Sequence, residues 1–185
     1  MSRTDAQSQY QVRFDWGVAG ARVIATDVDV IIAVDVLSPA TRLDLAAELP
    51  GHPAAIVAGS LTNATAVARW ALERQGGKGD RFFVAVIAAG ETRDDGTIRF
   101  ALEDLLGAGA IIDALADNGI DYCSPEAAAA SAAFTGLRNA TGHLVGASGS
   151  GRELAELGRR SEVDDAIRVN SVDAVEVLRE FRFPA

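Results

Sequence analysis

The residues of this chain best placed to do chemistry are carboxylates at the ends of apolar runs. Asp35 interrupts the stretch Val-Asp-Val-Ile-Ile-Ala-Val-Asp-Val-Leu over 28–37 near its carboxyl end. An unpaired charge buried there would be costly, so it needs a partner. Glu91 follows Ala88-Ala89-Gly90 after the apolar run 82–89, and Glu103 and Asp104 open the segment that begins at Leu102. Hydroxyl and amide groups accompany them: Ser38 after Asp35, and Ser60 and Asn63 after Gly59. Oxygen donors and backbone N–H groups gathered in this way suit a hydrated divalent cation, magnesium above all, with an anionic substrate. On this reading Asp35, Glu103 and Asp104 hold the metal, and Asp35 or Glu91 acts on the water. Ser38, Ser60, Asn63, Gly90 and Arg152 bind the substrate.

Each of these residues also has a structural reading. Asp35 could cap the segment after it, Ser60 and Asn63 could cap a helix, and Glu103 and Asp104 sit where a helix first turn favours negative charge in any protein. Glu91 opens what is also an ordinary polar turn, 92–96. Arg152 lies in Ser148-Gly149-Ser150-Gly151-Arg152-Glu153, which could hold an anion or simply form a capping box. That segment lacks a Lys-Ser/Thr pair and a strong strand before it, so it meets neither the P-loop nor the dinucleotide pattern. His52 and His143 have no nucleophile placed to complete a triad, and Cys123 reads as an inert thiol.

The elements that must position these groups follow from periodicity. Residues 10–16 alternate as a half-buried edge strand, and 28–37 reads as a central strand buried on both faces. Further strands are expected at 54–58 and 82–89, and helices at 40–48, 62–75, 102–118 and 124–134. Gly76-Gly77-Lys78-Gly79 should stop the helix over 62–75, and a loop is expected at 90–96. Weaker signals suggest helices at 135–145, 152–159 and 163–169. Alternating strands and helices predict one α/β domain over 1–185, a layered α/β/α arrangement with a mainly parallel or mixed sheet. In such sheets ligands bind beyond the carboxyl ends of the strands, where the loops carrying Asp35, Ser60 and Glu91 would meet.

Composition limits the partners. Seventeen Lys and Arg stand against 26 Asp and Glu, a formal charge of −9, and nucleic-acid binding over a broad surface needs the opposite balance. No apolar run approaches the roughly 20 residues of a membrane span, and 1–11 lacks the apolar core of a signal peptide. With a single cysteine, a cytoplasmic location is expected.

Seven blocks in order resemble the 2-phosphosulpholactate phosphatase family. They are Arg13-Phe14-Asp15-Trp16-Gly17, Val34-Asp35-Val36-Leu37-Ser38, Gly59-Ser60-Leu61-Thr62-Asn63-Ala64, Val86-Ile87-Ala88-Ala89-Gly90-Glu91, 101–109, Ser124-Pro125-Glu126-Ala127 and Ser150-Gly151-Arg152-Glu153-Leu154. The resemblance implies a magnesium-dependent enzyme of coenzyme M biosynthesis that hydrolyses phosphosulpholactate to sulpholactate and phosphate. The family's central Gly-Glu-Arg loop, Gly-Asn-Ser-Pro element and Asn-Gly turn do not occur, because the chain passes from Thr41 almost directly to the strand at Ala54. Two classes of function are therefore expected. One is a hydrolase of a small anionic phosphoester with reduced activity. The other is a non-catalytic homologue that keeps the fold for ligand binding or for subunit association, as in a homo-oligomer.

Overall fold

The computed structural model describes residues 6–37, 45–93 and 95–180. Five strands form one sheet: β1 (Val12–Trp16), β2 (Val30–Val34), β3 (Ala55–Gly59), β4 (Val84–Ala88) and β7 (Val177–Arg179), in the order β1-β4-β2-β3-β7. Neighbours among the first four strands run parallel, and β7 is antiparallel on the outer edge of β3. The sheet is thus mixed, with the β-branched run β2 at its centre. The remaining strands, β5 (Glu91–Thr92) and β6 (Ile98–Arg99), make a small hairpin that begins in the loop expected at 90–96 and ends beyond it.

Side-chain parity divides the core. Val30, Ile32 and Val34 of β2, with Val57 of β3 and Val84 and Val86 of β4, face α3 (Ala64–Lys78), α4 (Leu102–Asp117) and α5 (Pro125–Leu137). Ile31, Ala33, Ile56, Ala85 and Ile87 face α1 (Gly17–Ile24) and α2 (Leu45–Glu48). Helices therefore cover both faces, as strands apolar on both sides require. α1 lies where only chain breaks were expected, and α3 continues through Gly76 and Gly77 until Gly79, at φ +69°, ends it in the left-handed conformation. Three shorter helices follow α5: α6 (Thr141–Ala147), α7 (Gly149–Glu156) and α8 (Arg160–Ala166). The helix expected over 40–48 is observed only as α2, since 38–44 lie outside the described residues.

Glycines bring α4 down onto the site end of the sheet. A Cβ on Gly107 would stand 2.7 Å from Val36 Cγ2, and one on Gly109 would stand 2.2 Å from the carbonyl oxygen of Ala130 in α5. The small residues 107–110 thus serve close packing, which draws the first turn of α4 against the loop after β2.

Both edges of the sheet are covered. β7 covers β3, and the outer groups of β1 are satisfied one residue at a time. The Val12 N–H donates to Tyr122 O, and its carbonyl accepts from Ser124 N. The buried Gln7 amide takes the N–H of Phe14 (3.1 Å) and donates to its carbonyl (2.9 Å). Asp15 Oδ1 accepts the Trp16 N–H at 2.7 Å. No helix among the described residues is long and apolar enough to cross a membrane.

Candidate active site

The carboxyl ends of β2 and β3 open into a cleft of about 570 Å³. Its floor is formed by Asp35, Val36, Leu37, Ser60 and Thr62, and its roof by α8 and the segment that follows, with Glu162, Asp165, Arg168, Ser171 and Val172. Asp35 and Ser60 meet here because β2 and β3 are parallel and end level, Val34 opposite Gly59. The Asp35 N–H continues the ladder one step to Gly59 O at 3.3 Å. Asp35 thus stands at the end of a central strand, as expected, and lines the same cleft as Ser60.

Behind Asp35 lies Asp104, in the first turn of α4 and almost wholly buried. Its Oδ1 accepts the Val36 N–H (2.9 Å) and its Oδ2 the Gly90 N–H (3.0 Å). One carboxylate thus fastens the loop after β2 and the loop after β4 to the start of a helix. Burial, reinforced by the nearby charge of Asp35, pushes its pKa up to about 8, against the pull of the Val36 N–H. Glu103, 3% exposed, raises it further through its own charge.

The remaining expected site residues fall elsewhere or serve structure. Asn63 is buried and fully used. Its Oδ1 accepts the Ser60 N–H (2.9 Å), and its amide nitrogen donates to Ala58 O (3.2 Å) and Ala174 O (3.4 Å). It shapes the turn 61–63, a 3-10 turn, and thereby places Ser60. Gly90, at φ +63°, supplies the N–H to Asp104, and a Cβ there would meet Ile98 and the Arg99 carbonyl. Glu91 is exposed on β5, ion-paired with Arg99 of β6, and is not among the residues that line the cleft. Arg152 is exposed on α7, whose N-terminus is capped by Ser148 accepting from Gly151 N at 3.1 Å. Ser38 lies outside the described residues.

The sequence predicts a helix at 163–169, overlapping α8, but not the strap after it or the place of either over the cleft. Asn170, at φ +56°, donates its N–H to Leu61 O (3.0 Å), and its Oδ1 accepts the Thr65 N–H (2.8 Å). Val172 N donates to Thr62 O at 2.9 Å. The segment after α8 is thereby strapped over the turn that carries Ser60, and it caps the first turn of α3 with a side chain from more than a hundred residues away. The only local signal was the Asn itself, a residue that tolerates left-handed backbone.

The block Arg13 to Gly17 has a structural task. Arg13 is 1% exposed and donates to the carbonyls of Tyr10, Ile24, Thr26 and Ser8 at 2.7–3.2 Å. Those carbonyls lie around the end of α1 and the chain before β1. His52 bridges in its neutral form, accepting the Ala54 N–H on Nδ1 (3.2 Å) and facing Ala25 O with Nε2 (3.0 Å); burial lowers its pKa. Burial raises the pKa of the Cys123 thiol, consistent with an unreactive role.

Among the described residues no group of three or more His, Cys, Asp or Glu could hold a metal ion. The donor set therefore fits magnesium only in the mode where one or two carboxylates bind it and water and substrate complete the shell. Asp35, with Asp104 at its back, meets that lesser requirement. No curated protein matches the chain. The sequence profile of 2-phosphosulpholactate phosphatase matches residues 40–180, three quarters of the chain.

Proposed function

The chain belongs to the 2-phosphosulpholactate phosphatase family, and from that premise we propose that it is a hydrolase of small anionic phosphoesters, slow on phosphosulpholactate itself. The observation that carries this reading is the cleft in which Asp35 and Ser60 meet at the carboxyl ends of β2 and β3, with Asp104 fixed behind. In the reaction a water oxygen bonds to phosphorus while the ester P–O bond breaks, the departing oxygen taking up a proton. Asp35 stands where a carboxylate can align that water and accept its proton. Ser60 offers a hydroxyl to a phosphoryl oxygen. Asp104 acts through Asp35 by holding the flanking backbone in place. Magnesium, held by Asp35 with water and substrate completing its shell, would screen the charge of the phosphoryl oxygens.

Slow turnover follows from the short connection between β2 and β3, which removes donors that would orient the substrate. A misplacement of about 1 Å can cost roughly 10²-fold in rate. The test is phosphate release from phosphosulpholactate and a panel of small phosphoesters, with magnesium and with a chelator. The expected result is magnesium-dependent release below about 1 s⁻¹ on phosphosulpholactate, abolished by Asp35→Asn with the fold intact. Turnover in that variant equal to the wild type would remove Asp35 from the mechanism. The same short connection favours the second reading, a non-catalytic binding protein, which predicts no release from any ester while sulpholactate still binds.

A further inference from the structure

A cleft for an anionic substrate needs positive charge, and the described lining holds one cation against three carboxylates. These are Arg168 on one side and Asp35, Glu162 and Asp165 on the other. Two of the carboxylates stand on the roof with Arg168. Glu162 is engaged by Arg159, which reaches both of its oxygens at 2.6 and 2.8 Å. Asp165 faces Arg168 at 3.4 Å, with the two side chains 70% and 66% exposed. That contact is long and water-washed, the kind of pair that contributes least and is easily exchanged.

The backbone around Arg168 is nonetheless held in place. It lies between α8 and the strap whose Asn170 and Val172 N–H groups bond to Leu61 and Thr62 of the floor. The bonds that close the roof therefore hold the backbone beside Arg168 over the turn that bears Ser60. A guanidinium presents a planar fork that matches a carboxylate or sulfonate with two parallel bonds.

We propose that Arg168 recognises the acid group the substrate keeps after hydrolysis, with Asp165 as the placeholder that the substrate's own anion displaces. This rests on the reading of the cleft as the substrate site and adds to it a determinant of specificity. It makes two substitutions act in opposite directions, which a merely structural ion pair would not do. Arg168→Gln should weaken binding, and Asp165→Asn, which frees the guanidinium, should strengthen it.

The experiment measures KM and kcat for phosphosulpholactate and, by calorimetry, the binding of sulpholactate to the wild type, Arg168→Gln, Arg168→Lys and Asp165→Asn. Circular dichroism confirms that each variant folds. Arg168→Gln is expected to raise KM and the sulpholactate Kd about 10- to 100-fold with kcat within about threefold. Arg168→Lys should recover part of the loss, and Asp165→Asn should lower both constants. An unchanged KM and Kd in Arg168→Gln, or a fall in kcat alone, overturns the proposal while hydrolysis by the wild type leaves the proposed function standing. Sulpholactate binding that Arg168→Gln abolishes, in a wild type that releases no phosphate, supports this proposal and removes hydrolysis. A wild type that neither binds nor hydrolyses refutes both.

Discussion

Asp104 and Asp35 look alike in sequence, each an acid beside an apolar run, yet they are held very differently. Asp104 gives both oxygens to backbone N–H groups from two loops, in a place so dry that its pKa rises to about 8 from the ordinary 3.8. Between these two values the folded chain keeps a proton that the unfolded chain releases, so this residue makes stability fall as pH rises through the window. Asp104→Asn has no such proton and should flatten the dependence. Urea-unfolding midpoints at about pH 5, 7 and 9 would reveal it, and parallel profiles for the two proteins would contradict the assignment. Arg13, at the opposite end of the sheet, makes a different prediction. Replacing it with Met leaves four carbonyls without their donor and should cost about 3 kcal/mol or more in denaturant unfolding. Binding at the cleft in the folded variant should be unaffected.

Elements were legible where periodicity was strong. The central position of β2 followed from a β-branched run apolar on both faces, and α4 from a long helical repeat closed by Gly119, which adopts φ +82°. α1 was lost because Gly17 and Gly20 read as breaks. Yet its buried residues Gly17, Gly20, Ala21 and Ile24 have the spacing of a helical stripe, a signal that was present and outweighed. β7 is three half-buried residues without alternation, and the strap is a loop, so neither carried a periodic mark, although a helix was expected at 163–169, overlapping α8. Asp35 and Ser60 were legible because parallel sheets gather their loops at one end, whereas Glu91 followed the same rule into a hairpin and an ion pair. Two tests belong here. Gly109→Ala gains helix propensity of about 1 kcal/mol but drives a methyl into the Ala130 carbonyl, and a net loss in melting temperature is expected. Asn170→Ala removes the cap on Thr65 and strains the left-handed backbone, while Asn170→Gly removes only the cap. The alanine variant should therefore melt lower than the glycine variant, and the reverse order would show that the strap does not depend on this conformation.

For the whole molecule, the sheet is guarded at both edges by parts of the chain distant from its centre, Gln7 on β1 and β7 on β3. Gln7→Ala should leave the Phe14 backbone open to strand pairing, and light scattering on heating should show earlier aggregation than in the wild type. The antiparallel closure of β3 also bears on how the protein is made. A ribosome that has just completed Gly59 must add roughly 120 residues before Val177 exists to pair with it. At about 5–20 residues per second that takes about 6–24 s. Once β3 has emerged and folded, and until β7 follows it, the chain lacks the partner for this wholly apolar strand edge. Its demand for chaperone protection during translation should therefore end only when the last strand emerges.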